Sequence, residues 1–152
     1  MDRRSFTALL PALLASPALL EHASAQTPSK PAPAPLRSGD FAAFTPPEEF
    51  KERAGHGFFL GMVPGSDGNN IRLESHVTYL APNAVHEPVE KHKHSEMWLV
   101  REGTVELNLN GVPHILNVGQ VGVCVAGDMH YIKNVGPGRA SYFVVSVGPP
   151  EA

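Results

Sequence analysis

The apolar positions of the chain recur mostly at period two. Residues 105–109, Val-Glu-Leu-Asn-Leu, alternate cleanly and run into Asn110-Gly111, a dipeptide suited to a tight hairpin turn. Residues 71–80 mix β-branched and aromatic side chains with polar ones at the same period. Shorter runs follow at 58–62, 97–101, 114–118, 121–125, 131–135 and 142–147. Gly119-Gln120, Gly127-Asp128 and Gly136-Pro137-Gly138 divide the later ones. Many short strands punctuated by glycine turns predict an all-β domain, an antiparallel sandwich or barrel. One stretch departs from this. Residues 46–55 open on two prolines, carry acids in the first turn and close on Gly55, which predicts a short N-terminal helix; otherwise the segment is an extended arm.

The first residues carry a different pattern. Met1-Asp2-Arg3-Arg4-Ser5-Phe6 is charged, residues 8–20 are apolar, and Ala23-Ser24-Ala25 is a small-x-small cleavage site. This is the layout of a secretory leader over residues 1–25, too short to span a bilayer core of about 30 Å. The arginine pair resembles the twin-arginine signal, which implies export of the folded protein to the periplasm or the medium. Residues 26–35 place proline at every second position from Pro31 and read as an extended linker. Residues 36–152 remain as a single domain with a core over 71–148, and no membrane contact is expected of it once the leader is removed.

Composition adds two exclusions. The formal net charge is −3 and no basic patch extends beyond Lys91 and Lys93, so nucleic acid is not an expected partner. The sole cysteine, Cys124, allows no internal disulfide and reads as a small buried hydrophobe.

The candidate chemistry lies at Glu90-Lys91-His92-Lys93-His94-Ser95-Glu96. On a single strand, positions 90, 92, 94 and 96 share one face. Carboxylates and imidazoles aimed together at one side require water or a divalent cation to satisfy them. A second stretch runs Gly119-Gln120-Val121-Gly122-Val123-Cys124-Val125-Ala126-Gly127-Asp128-Met129-His130-Tyr131-Ile132-Lys133-Asn134, where His130 follows a glycine turn and opens a strand.

Together the two stretches resemble the cupin family. Its first motif runs His-x-His, three or four residues, Glu, six residues, Gly; Glu96 and Gly103 hold the last spacing. Its second runs Gly-x5-Pro-x-Gly-x2-His-x3-Asn; Gly119, Gly127, His130 and Asn134 fall on it, with Val125 in place of the proline. The resemblance covers residues 71–148 and is strongest to small exported single-domain cupins. It implies an antiparallel β-barrel or jelly roll holding a metal. Counting back from Glu96, the family's two histidines fall on Glu90 and His92, so the first is replaced by a carboxylate and His94 is an addition. The implied ligand set is Glu90, His92, Glu96 and His130. The alternative shifts inward to His92, His94, Glu96 and His130, which on alternate positions about 6.6 Å apart would need a bent strand.

Imidazole and carboxylate donors suit Fe, Mn, Ni or Zn. A second carboxylate would neutralise a divalent ion and favour a higher oxidation state. Trp98 and Val100 share the parity of Glu96 and are expected in the pocket wall; on the neighbouring strand either Val77 and Tyr79 or His76 and Thr78 face inward, and the former are preferred because a polar pair fits an outer face. His86 and Glu87 lie before the ligand stretch and read as exposed loop residues, with the rim of the entrance as the alternative. The leading expectation is a metal-dependent enzyme, dioxygenase- or oxidoreductase-like, acting on a small organic molecule. The alternatives are a metal-dependent isomerase or lyase, and a module that binds a small molecule or metal without turnover. Exposed sheet edges would suit a homodimer.

Overall fold

A computed structural model of the chain describes residues 34–149. The expected leader (1–25) and all but the end of the linker (26–33) lie outside the described residues. Among those described, the regular structure is all strand: β1 (Arg53–Pro64), β2 (Asn70–Leu80), β3 (Glu90–Lys91), β4 (Ser95–Glu102), β5 (Thr104–Leu109), β6 (Val112–Asn117), β7 (Val121–Cys124), β8 (Met129–Asn134) and β9 (Ala140–Gly148). No helix among them is long and apolar enough to cross a membrane.

The strands form two antiparallel sheets. One has the order β1-β2-β9-β4-β7, the other β3-β8-β5-β6. The core between them is built from Leu80, Trp98, Val100, Leu107, Ile132 and Tyr142 together with smaller apolar side chains. These come from alternate positions of six strands, as the period-two pattern requires. The β5–β6 hairpin turns at Asn110-Gly111 with positive φ at both residues, 51° and 85°. That is the backbone a two-residue turn needs to match strand twist. Gly103 joins β4 to β5 at φ 72°, and a Cβ there would lie 2.5 Å from the Arg139 carbonyl oxygen. Both conformation and space therefore require glycine.

The helix expected over 46–55 does not form. Residues 46–52 have no regular structure, and Arg53, Ala54 and Gly55 are already paired with Leu80, Tyr79 and Thr78. One isolated short helix is marginal in water, whereas the β1–β2 ladder satisfies the same backbone groups along a long hairpin. The segment is the extended arm instead. Its Phe44 stacks on His56 with ring centroids 4.4 Å apart, and Phe44 and Phe50 each approach Tyr79 at 6.3 Å. The arm so covers the outer face of β1 and β2. Ahead of it, the end of the proline-rich stretch runs beside β1: Leu36 N–H donates to the Met62 carbonyl and Met62 N–H to that of Ala34.

Asn134 closes the other end of the barrel. Its side-chain amide donates to the carbonyls of Ala81 at 3.0 Å and Gly138 at 2.7 Å, and its Oδ1 accepts from Gly136 N–H at 2.9 Å. One buried amide ties the end of β2 to the β8–β9 turn.

Candidate metal centre

The stretch from Glu90 to Glu96 is not one strand. Glu90 and Lys91 pair with His130 and Met129 in the four-stranded sheet, whereas Ser95 and Glu96 pair with Val147 and Ser146 in the five-stranded sheet. The chain crosses between sheets through His92-Lys93-His94. The crossing is pinned from the glycine turn before β8: Gly127 N–H donates to the His92 carbonyl at 2.9 Å, and Ala126 N–H to Ser95 Oγ at 3.1 Å. Four residues on one strand face therefore become donors from two sheets turned toward a common point.

The bend brings all five candidate donors together. Glu90, His92 and His130 each offer one ligand atom within 4.8 Å of the others, and so do His92, His94 and Glu96. His92 belongs to both groups. Glu90 Oε2 lies 2.9 Å from His92 Nε2, and Glu96 Oε2 lies 2.9 Å from His130 Nε2. The other oxygen of Glu96 is already engaged: Ser146 Oγ donates to Oε1 at 2.9 Å, and His94 Nε2 stands 3.1 Å from it. The His92 and His94 rings stack with centroids 4.4 Å apart. His94 is buried and pressed against β9, where a Cβ on Gly148 would come within 2.6 Å of its Cα and Cβ. Glu90 is the exposed member of the set, with half its side-chain surface in solvent.

Charge shapes the cluster further. Burial opposes ionisation of Glu96, but the hydrogen bonds with His130, Ser146 and His94 outweigh it and hold the carboxyl down to about 2. Burial likewise opposes the charged form of His130, and the Glu96 contact overcomes it, raising the imidazole above its ordinary range. Cys124 is buried beside them, its Sγ 3.5 Å from His130 Nδ1, with its thiol pushed up mainly by burial.

The donor set fits a divalent transition ion. Two donors at about 2.1 Å from one ion and at right angles to it stand roughly 3 Å apart. The Glu90–His92 and Glu96–His130 separations already have that spacing. The donors are imidazole nitrogens and carboxylate oxygens, the mixture that Fe, Mn, Ni and Zn accept.

A cavity of about 140 Å³ opens beside the cluster, and Glu90, Glu96, His130 and Trp98 line it. Trp98 is buried with its ring centroid 5.2 Å from that of His130. Val100 is also buried, but in the core behind the cavity. Tyr79 is not in the wall. It lies on the outer face of the five-stranded sheet, under Phe44, Phe50 and the Arg139 guanidinium, which stands 5.4 Å from its ring centre. The opposite parity of β2 faces inward, so His76 lines the cavity beside Val144. The polar residues of β2 point in because the interior holds a polar site. Tyr79 points out because the arm covers it, whereas Leu80 at the end of the strand faces the core. Two further lining residues, Arg53 and Glu87, come from the start of β1 and from the loop before β3. Glu87 was legible only as a loop residue; nothing in its local sequence signals that its loop folds back over the site.

The comparisons with known proteins agree with this architecture. KdgF from Halomonas sp. superposes with a TM-score of 0.52 at 15% identity, over 74% of this chain and 88% of that one. A conserved protein of unknown function from Streptococcus pyogenes gives 0.54 at 18% identity, over 68% and 80%. A cupin superfamily protein from Desulfitobacterium hafniense gives 0.53 at 16% identity, over 66% and 84%. At these identities the likeness is one of fold. No curated protein matches the sequence. The family model described as Cupin domain matches residues 76–146, which span β3 to β8, the crossing at His92–His94 and His130, and over that stretch the chain is similar to the cupin superfamily.

Proposed function

We propose that the protein is an exported metal-dependent enzyme that acts on a small organic molecule in the cavity, with oxygenase- or oxidoreductase-type chemistry. The observation that carries this reading is the convergence of imidazole and carboxylate donors from both sheets on the wall of one cavity. Glu90, His92, His130 and the Oε2 of Glu96 would hold the ion. His94 and Ser146 would fix the other oxygen of Glu96, the role of the outer partners that orient metal ligands. An iron or manganese ion there would supply a Lewis acid and a redox couple.

The chain's own residues then do the rest. Trp98, Val144 and Pro88 give the cavity an apolar side that orients a flat organic ligand and limits water. Arg53 and His76 offer hydrogen-bond donors to a ligand oxygen, and Arg53 adds positive charge. Glu87 brings a carboxyl that the donor set does not use. That last feature supports a second reading, a metal-dependent isomerase or lyase, in which proton movement is the chemistry and oxygen takes no part.

Metal analysis of protein exported by its own host tests the site. The parent is expected to carry close to one ion per chain, and His92→Ala and His130→Ala to lose most of it. Full occupancy in both variants would refute the assignment. Oxygen uptake by iron-loaded protein with a panel of catechols and enols then separates the two readings.

A further inference from the structure

Glu87 stands outside the candidate metal centre yet lines the same cavity as Glu96 and His130. Its position is built by three elements. Its N–H donates to the Ile132 carbonyl at 3.0 Å, which fastens the loop before β3 onto β8. Tyr142, fully buried on β9, donates its hydroxyl to Glu87 Oε1 at 2.6 Å. Arg53 Nε, at the start of β1, lies 3.7 Å from that same oxygen. Both contacts fall on Oε1, and Oε2 takes part in neither.

The groups that bear on its charge are Tyr142, Arg53, Glu90 and His76. Burial is the largest influence and raises the carboxyl above its ordinary range. The Tyr142 hydrogen bond and the Arg53 charge pull the other way without cancelling it, and the Glu90 charge adds to the rise. A carboxyl anchored through one oxygen and raised above its ordinary range holds a proton more readily and is suited to exchanging one. The cavity's size limits what it serves. A water needs about 10–15 Å³ of such space, so about 140 Å³ admits a small organic molecule.

We propose that Glu87 is the acid–base residue of this pocket, its Oε2 taking a proton from a small carbonyl compound and returning it. The inference rests on reading the pocket as a metal-dependent active site. The carboxylate removes a proton from the carbon next to the carbonyl, and the C–H electron pair stays on the ligand as an enolate. Arg53 and His76 face the cavity as donors for its oxygen. Neutral Glu87 then gives the proton back to the same carbon. No electron leaves the ligand, and no further reactant is required.

The test is deuterium exchange into pyruvate and hydroxyacetone by the zinc-loaded full chain in D2O, read by proton NMR. The parent is expected to accelerate loss of the C–H signal, and Glu87→Gln to slow it about 100-fold. Glu87→Asp should recover part of the rate. Tyr142→Phe should keep the exchange and move its pH midpoint upward, because the lost hydrogen bond no longer favours the carboxylate. A parent that exchanges neither compound, a Glu87→Gln protein as fast as the parent, or a Tyr142→Phe midpoint that stays in place would each overturn the proposal. If Glu87→Gln does not fold, the Asp and Phe variants decide. The functional reading fails separately: a parent that exchanges protons but takes up no oxygen retires the oxygenase and leaves Glu87 standing. Oxygen uptake that Glu87→Gln leaves intact, with exchange also intact, retires Glu87 alone.

Discussion

Glu96 is the residue on which the site balances. Each of its oxygens faces a different partner, and the hydrogen bonds hold its carboxyl at about 2. In metal-free protein that depression is a contribution to stability. It is present above the ordinary glutamate range and is lost as pH falls from about 4.5 toward about 2; a shift of that size corresponds to about 3 kcal/mol. The His130 side of the same contact has the opposite sign. Its raised imidazole stabilises the fold below the ordinary histidine range, and the benefit fades as pH rises through the folded value. Urea unfolding of metal-free protein across pH should therefore show a steep acid limb in the parent and a flatter one in Glu96→Gln. Equal limbs would count against the hydrogen-bonded pair. Nothing in the sequence around Glu96 announced Ser146 or His94 as its partners, because Ser146 lies 50 positions away on β9 and His94 reaches Glu96 only after the chain bends.

Among the elements, the strands were largely readable and the break between two of them was not. Alternation and glycine turns located β2 and β4 to β9 to within a few residues, since period two is what a half-buried strand imposes. The same alternation runs unbroken through 90–96, where the chain in fact changes sheet. Periodicity reports which side a residue faces if the strand continues; it carries no signal for a bend set by hydrogen bonds from a distant turn. Tyr79 and His76 misled for a related reason. Apolar residues face inward only where the interior is apolar and the exterior is wet, and β2 has a polar cavity inside and the aromatic arm outside. The turn that pins the bend is testable at Gly127, which holds φ at 92° and donates to the His92 carbonyl. Gly127→Val should strain that backbone by about 1–2 kcal/mol and lower metal affinity roughly tenfold through His92. Competition with a fluorescent chelator reads the change; unaltered affinity would mean that the turn does not set the ligand geometry.

At the scale of the whole molecule, an ion held by Glu90 and His130 on one sheet and Glu96 on the other would tie the two layers together. Ligand binding restricted to the folded state stabilises it by about 2.7 kcal/mol when the free ion is at a hundred times its dissociation constant. For a domain of this size that corresponds to a rise in Tm of roughly 10 °C. Chelation should lower the melting temperature by that amount in the parent and leave His130→Ala almost unmoved. The large-scale arrangement was legible from the two motifs. The coupling of the sheets was not, because it follows from where the chain crosses and no single motif encodes that crossing.

The shortest strand has a kinetic meaning. β3 is two residues long and is held by two pairings, Glu90 with His130 and Lys91 with Met129. Short terminal pairings fray far below the free energy of global unfolding. The proposed carboxylate ligand Glu90 therefore rides on a segment that detaches readily, while His94, Glu96 and His130 sit on well-packed strands or buried beside them. Residence time of an ion at such a centre would be governed by the lifetime of β3 and not by that of the barrel. Loading and unloading of the ion would proceed by peeling Glu90 away, leaving a partly assembled seat on an intact fold.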